Sequence, residues 1–190
     1  MPRDDRNALL ATLFATLEND ILPKTRMGVA AGNKIFGAAL LRKSDHSLVL
    51  AETNNETENP LWHGEVHCLK RFYEMPADAR PATSDLICLS AITWAGFDNF
   101  YYFFSHEDSR DAFEIPHDLK ILKEVFTLDA GEYNKSNAFW QSHSMMGMIA
   151  ELPEADRAAW LEKAKSIAAQ YDALSDQYQD GKGANDIPLN

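Results

Sequence analysis

Short apolar segments that alternate with helical segments constrain the fold of this chain more than any other feature. Residues 35–41 and 48–53 have the composition of buried strands, and residues 44–47 between them are turn formers, so the sequence predicts a hairpin. Residues 86–89 and the aromatic run 100–104 predict two further strands. Because helical segments separate these strands, we expect a layered α/β domain with some parallel strand pairing.

The helical segments show apolar residues at intervals of three or four positions. Residues 4–21 form the first of them, and Pro23 is expected to end it, followed by a loop over 27–33 that is rich in Gly and Ala. Residues 106–111 are predicted to form a polar loop. The other predicted helices cover 63–74, 90–95, 116–125, 137–150 and 152–179.

The composition suits a single folded domain. The chain has 190 residues, of which 45% are hydrophobic, enough for a substantial core. We predict one domain over 1–190, with a core at about 4–130 and a helical C-terminal extension at about 136–180. The net charge of -11 argues against a nucleic-acid partner, because such a protein presents a basic surface to the phosphates.

The sequence also bears on the cellular compartment. No apolar run is long enough to span a bilayer, and the first residues lack the apolar centre of a signal peptide. Cys68 and Cys88 are the only two cysteines, too few for a disulfide framework. We therefore expect a cytosolic protein with reduced thiols and no membrane association.

Reactive side chains concentrate in residues 59–68 and again near Cys88. A catalytic zinc site needs three protein ligands with nitrogen, sulfur or oxygen donors, and an open position for water. His63, Asp85 and Cys88 offer one donor of each kind, and the spacing of Asp85 and Cys88 lets both close on one ion at a turn. Such an ion lowers the pKa of its bound water to about 7. Glu65, two residues after His63, would then transfer protons.

Helical geometry offers a second arrangement of the same segment. His63 and His67 are one turn apart and share a helix face, whereas Glu65 points elsewhere. This spacing favours a two-histidine metal site in a metal-dependent hydrolase, although the order is not the H-E-x-x-H of zincins. Cys68 is a further candidate ligand. Both alternatives stay open from the sequence.

These residues resemble the cytidine-deaminase-like superfamily of zinc-dependent nucleobase and nucleoside deaminases. The pattern of that family is H-x-E followed by P-C-x-x-C, and its Glu is not a ligand. His63-Gly64-Glu65 matches the first half, and the residues from Cys88 onward are most similar to guanine deaminases and their relatives. The resemblance covers roughly residues 35–110. Where the family has Pro-Cys, this chain has Ser84-Asp85, so an aspartate stands in the place of the first cysteine ligand.

The resemblance implies a three-layer α/β/α fold with a mixed central sheet, a zinc cofactor and a homodimer. It implies that zinc-bound hydroxide attacks the ring carbon that carries the amino group, while Glu65 transfers protons and ammonia leaves. It also implies four substrate contacts. Asn54 would bond the base edge, Phe36 would stack on the ring, Gly64 would lie beside it, and Asp108 would bond an exocyclic group.

The sequence thus predicts a zinc-dependent hydrolytic deaminase of a small nucleobase or nucleoside. The replacement of Pro-Cys by Ser84-Asp85 supports an alternative, a catalytically inactive deaminase-like scaffold that binds a ligand or a protein partner. His106 is expected at the surface. The C-terminal helices are expected to pack against the core or to form an oligomer contact.

Overall fold

The computed structural model describes residues 3–88, 95–129 and 131–189, with only the backbone for Arg3, Ile87 and Cys88. The predicted α/β class with a mixed sheet is confirmed. The strands are β1 Gly37–Arg42, β2 Leu48–Thr53, β3 Leu86–Cys88, β4 Asn99–Tyr102 and β5 Gln141–Ser144. The helices are α1 Arg3–Thr16, α2 Leu22–Ala30, α3 Gly64–Glu74, α4 His106–Asp111, α5 His117–Phe126, α6 Met145–Ala150 and α7 Glu154–Gly181. The helix predicted over 90–95 lies almost wholly outside the described residues.

The strands form one mixed sheet in the order β2-β1-β3-β4-β5. β1 pairs antiparallel with β2, with Gly37 opposite Thr53, and antiparallel with β3, with Leu40 opposite Cys88. β4 lies between β3 and β5 and is parallel to both. The start of β1 and the carboxyl ends of the other four strands therefore lie at one end of the sheet, which we call the upper end.

Two hydrophobic cores cover the two faces of the sheet, because residues along β1 alternate between them. Ala38 and Leu40 belong to the core that contains Phe72 of α3. Ala39 and Leu41 belong to the core that contains residues of α1, α2, α6 and α7. One helical layer thus lies on each face of the sheet, which is the predicted three-layer α/β/α arrangement.

The first helix does not end at Pro23, and the loop predicted over 27–33 is largely helical. A π-helical turn, Leu17–Ile21, joins α1 to α2, and the amide of Leu22 donates to the carbonyl of Leu17. Pro23 then falls in the first turn of α2, where a missing N–H is best tolerated. Gly28 allows close packing of α2, since an added Cβ would lie 3.1 Å from Cγ2 of Thr53.

The C-terminal extension completes the sheet as well as adding helices. The helix predicted over 137–150 is wrong in its first half, where β5 pairs with β4 and the ring of His143 stacks on Tyr101 at 4.9 Å. The long helix predicted next is α7. Its Trp160 ring stacks on Phe14 of α1 at 5.6 Å. In the described part of the chain, no helix is both long enough and apolar enough to cross a bilayer.

Candidate functional site

A cavity of about 400 Å³ opens at the upper end of the sheet. The start of β1, the first turn of α3 and the residues that follow β2 and β4 surround it. A concave site with an aromatic lining and a few polar groups is typical of small-molecule binding. The aromatic lining residues are Phe36, Phe100, Tyr102, Phe103, Phe104, Tyr133 and Tyr171, and the polar ones are Asn54, His63, Glu65, Ser105, His106, Ser109 and Asp118.

Glu65 lies in the first turn of α3 and contributes its carboxyl to the cavity. Glu65 is partly buried among the other lining residues. The resulting desolvation raises the pKa of Glu65, although the nearby His63 acts in the opposite direction. A carboxyl whose pKa is raised in this way can serve as a general acid or base.

Asn54 follows β2 directly and is 1% exposed. Its backbone amide donates to the carbonyl of Phe36 at 3.0 Å, which holds it beside the start of β1. Its Oδ1 accepts from the amide of Gly64 at 2.6 Å, one of the amides at the start of α3 that lack a helical partner. The predicted residues Phe36, Asn54 and Glu65 are therefore brought together at one cavity, with Gly64 in direct contact with Asn54.

His63 immediately precedes α3, with the extended backbone of an N-cap residue (φ -61°, ψ 158°). Its side chain is 44% exposed and lines the cavity beside Glu65. Its Nε2 lies 3.4 Å from Oε1 of the buried Glu56. The structure thus places His63 and Glu65 at the same cavity, as the sequence predicts.

His106 and Asp118 form an acid–base pair at the cavity, which the sequence patterns do not indicate. His106 begins α4 and Asp118 lies in the first turn of α5, and His106 Nδ1 is 3.6 Å from Asp118 Oδ2. The contact with Asp118 raises the pKa of His106, and the contact with His106 lowers the pKa of Asp118. A polar stretch between a strand and a helix is a weak sequence signal for such a pair, so only the fold reveals it.

Asp108 does not reach the cavity, and its predicted role in substrate binding is not supported. Ser105 and Asp108 form a capping box at the start of α4, in which Asp108 Oδ2 accepts from the Ser105 amide at 2.7 Å. The polar loop predicted over 106–111 is wrong for the same reason. The pattern Ser-x-x-Asp was the signal that could have identified this helix start.

Asp85 is not brought to His63. It precedes β3, and its carbonyl accepts from the Lys43 amide at 2.9 Å, beyond the far end of β1. Lys43 is six positions from Gly37, so at roughly 3.3 Å per residue Asp85 lies about 20 Å from the upper end of the sheet. The backbone of Cys88 pairs with Leu40, partway along the same strand.

The two alternative ligands also have other contacts. His67 Nδ1 lies 2.9 Å from the carbonyl of Thr53, and its ring stacks on Trp62. Cys68 is 1% exposed in the core beneath α3, and burial raises the pKa of its thiol to about 12. A thiol with that pKa is a poor source of the thiolate that binds metal.

The described residues therefore do not assemble the predicted zinc site. Among them, no three His, Cys, Asp or Glu side chains are arranged to hold a metal ion. Residues 89–94, which follow Cys88, contain none of these four residue types. A catalytic zinc ion needs three protein ligands, and of the predicted set Asp85 lies at the other end of the sheet from His63.

No protein-family model matches this chain, and no curated protein matches it. Functional inference therefore depends on the geometry and chemistry of the cavity.

Proposed function

We propose that the cavity binds a small nucleobase or nucleoside and that the chain removes an amino group from it by hydrolysis. One observation supports this most strongly. Glu65, a carboxyl whose pKa is raised by burial, shares an aromatic cavity with Asn54 and His63. A carboxyl in such a site can take up and release protons during the reaction, as hydrolysis of an amino-substituted ring requires.

The lining suits a planar and uncharged ring. The faces of aromatic residues such as Phe36 pack well against a flat heterocycle. Asn54 Nδ2 donates one hydrogen to Glu56 at 3.1 Å, which leaves a second hydrogen for a base edge, and the Asp118 carboxylate can accept from an amino group. The described lining residues include no Lys or Arg to balance a phosphate. We therefore propose a free base or a nucleoside as the ligand, and neither a nucleotide nor a nucleic acid.

The reaction adds water across the ring C=N bond beside the amino group. Glu65 takes a proton from the water as the water oxygen bonds to the ring carbon, and delivers that proton to the ring nitrogen. Glu65 then moves the proton of the new hydroxyl to the amino nitrogen. The carbon–nitrogen bond breaks, and the products are a ring carbonyl and ammonia.

Zinc is the cofactor that the sequence predicts for this reaction, but the described residues do not fit it. His63 is the one predicted ligand among the cavity-lining residues, and Asp85 lies at the other end of the sheet. No step above therefore depends on a metal ion. The zinc content of the purified protein, measured by mass spectrometry, tests the prediction directly.

The position of Asp85 favours a second candidate function, a protein that binds a nucleobase-like ligand without converting it. In this case the cavity and Asn54 would serve binding alone, and Glu65 would be a hydrogen-bonding group rather than a proton carrier. The two candidates differ in one observable, the release of ammonia.

The test is ammonia release from a panel of guanine, adenine, cytosine and their nucleosides, together with calorimetric binding of each compound. Glu65→Gln should reduce ammonia release at least about 10²-fold, the contribution expected of a general acid–base group, while binding is kept. Glu74→Gln, at the exposed end of the same helix, is the matched control and should leave the rate unchanged.

Each outcome decides between the candidates. An unchanged rate in Glu65→Gln would rule out Glu65 as the proton carrier. Binding without ammonia from the wild-type protein would support the second candidate. A wild-type protein that neither binds nor converts any compound of the panel would contradict both.

The predicted homodimer and cytosolic location remain part of this proposal. Light scattering coupled to size exclusion measures the mass of the particle in solution, and a mass equal to that of one chain, 21.4 kDa, would contradict the dimer. Fluorescence imaging of a tagged chain in its host cell tests the location.

A further inference from the structure

Glu56 is a fully buried acidic side chain that contacts two residues of the cavity, and the sequence analysis gave it no role. Its side chain has no exposed surface, and its two oxygens have four nitrogen neighbours. Oε2 accepts from the Lys34 amide at 3.0 Å and from Asn54 Nδ2 at 3.1 Å. Oε1 lies 3.1 Å from Lys34 Nζ and 3.4 Å from His63 Nε2. A carboxylate is stable in a protein interior only with partners of this kind.

The contact with Asn54 fixes which way its amide faces. Glu56 can only accept, so the Nδ2 end of the Asn54 amide must face Glu56. The Oδ1 end then faces the amide of Gly64, where it accepts at 2.6 Å. Glu56 and the Gly64 amide therefore favour the same orientation of Asn54, and through Asn54 the buried Glu56 is linked to the start of α3.

The contact with His63 acts in the same way on the imidazole tautomer. An unprotonated Nε2 would lie 3.4 Å from a carboxylate oxygen, and the two negative partial charges would repel each other. The proton of the neutral ring is therefore favoured on Nε2, and Nδ1 keeps its lone pair. His63 then presents an acceptor, rather than a donor, at its other nitrogen.

We infer that Glu56 is a positioning residue of the nucleobase site, which orients the Asn54 amide and sets the tautomer of His63. The inference deepens the proposed function and rests on it for the identity of the ligand. The positioning itself rests on the four contacts of Glu56 alone. This arrangement favours a ring that accepts a hydrogen bond from Asn54 and donates one to His63. A base with adjacent acceptor and donor groups meets both requirements.

A simpler role for Glu56 would be that of counter-ion to Lys34. Lys34 is 6% exposed, and its ammonium group lies against Glu56. Removal of one partner of a buried ion pair is strongly destabilising, because it leaves the other charge unpaired. Glu56→Gln alone would therefore not separate a positioning role from a structural one, and the charge on Lys34 has to be removed as well.

The test uses three variants: Glu56→Gln, Lys34→Gln and the double variant with both changes. Two-bond ¹H–¹⁵N correlation spectra of the histidine rings report the tautomer directly, and His63→Gln assigns the His63 signals. In the wild-type protein we expect His63 with its proton on Nε2, and Lys34→Gln alone shows the effect of leaving Glu56 unpaired. In the double variant, which carries no unpaired charge at this position, we expect a mixture of both tautomers.

Affinity for the panel base that binds best provides a second measurement. We expect about tenfold weaker binding to the double variant than to the wild-type protein, because Asn54 loses one of the two contacts that orient it. A double variant with the wild-type tautomer and affinity would overturn the inference and leave Glu56 as a counter-ion. The tautomer is measured without ligand, so a failure of the deaminase proposal does not affect this result.

Discussion

Gly37→Ala tests the packing of the cavity floor. Gly37 begins β1 and lines the cavity, and α3 lies directly on its backbone. A Cβ built on Gly37 would lie 2.6 Å from Cγ2 of Ile21 and 2.8 Å from the carbonyl oxygen of Glu52. The first contact is with a branched side chain at the end of the π-helical turn. The second is with the backbone of β2, which cannot rotate away.

These contacts allow the size of the effect to be estimated. Insertion of a methyl group into a well-packed site costs about 1–3 kcal/mol, and the contact with the β2 backbone favours the upper half of that range. Replacement of Gly also restricts the unfolded chain, which stabilises the fold by about 0.4–1 kcal/mol. The net loss in the free energy of unfolding is about 1–2.6 kcal/mol, and at about 2–4 °C per kcal/mol the Tm should fall by about 2–10 °C.

Thermal and urea unfolding, followed by circular dichroism, measure this change. Gly181→Ala is the matched control, because a Cβ at Gly181 meets nothing within 4 Å at the end of α7. That variant should be unchanged or more stable by up to about 1 kcal/mol. If Gly37→Ala were as stable as Gly181→Ala, the contacts of β1 with the π-helical turn and with the backbone of β2 would be looser than these distances indicate, and the cavity would lack a rigid floor.

The titratable groups give three further predictions. Burial raises the pKa of Glu65, so the folded protein holds a proton that the unfolded chain releases, and stability falls as pH rises towards the folded-state pKa. In urea unfolding, the stability of Glu65→Gln relative to the wild type should therefore increase as the pH rises. A difference in stability that does not change with pH would argue against a raised pKa of Glu65. Asp118→Asn should lower the pKa of His106 in an NMR titration, because Asp118 raises it; in the wild type this stabilising contribution is lost as pH rises through the folded-state pKa of His106. Both side chains are more than a third exposed, so the loss of stability should stay below about 1 kcal/mol, and an unshifted His106 would refute the pairing. Because burial raises the thiol pKa of Cys68 to about 12, native Cys88→Ser protein should resist thiol reagents at about pH 8, and rapid labelling would show that Cys68 is accessible.

Local sequence patterns predicted the elements whose apolar residues face one core. The hairpin β1–β2 combines two apolar segments with turn formers, and α3 has apolar positions at helical spacing after Pro60. Both form where expected because local preference and burial agree. α7 was predicted for the same reason.

Elements that depend on distant contacts were not predicted. Pro23 normally ends a helix, yet the π-helical turn before it places this residue in the first turn of α2. The segment Gln141–Ser144 is polar and has no strand pattern, and it becomes β5 because β4 offers an unpaired edge. Tertiary packing overrides local preference at both positions.

The part of the candidate site that comes from one chain segment could be predicted from the sequence. His63 and Glu65 lie two residues apart, and Asn54 directly follows the strand before them, so their proximity follows from the order of elements. His106 and Asp118 come from two short helices whose relative position depends on the fold as a whole. The spacing of Asp85 and Cys88 suggested a shared turn, whereas the pairing of β3 with β1 separates Asp85 from the upper end of the sheet.

The register of β3 is the physical reason why Asp85 stays away from the cavity. To lie opposite Gly37, Asp85 would have to move six positions along β1, and the segment 80–85 would then occupy the centre of the sheet. That segment contains Pro81, which cannot donate to a strand on either side and is excluded from central strands. Leu86, now fully buried, would leave the core beneath α3, a loss of about 1.5–3 kcal/mol. An even shift keeps every side chain on its own face, so alternation does not oppose the alternative register; Pro81 and Leu86 do. The same two residues therefore decide the position of a predicted zinc ligand, although neither lies in the cavity.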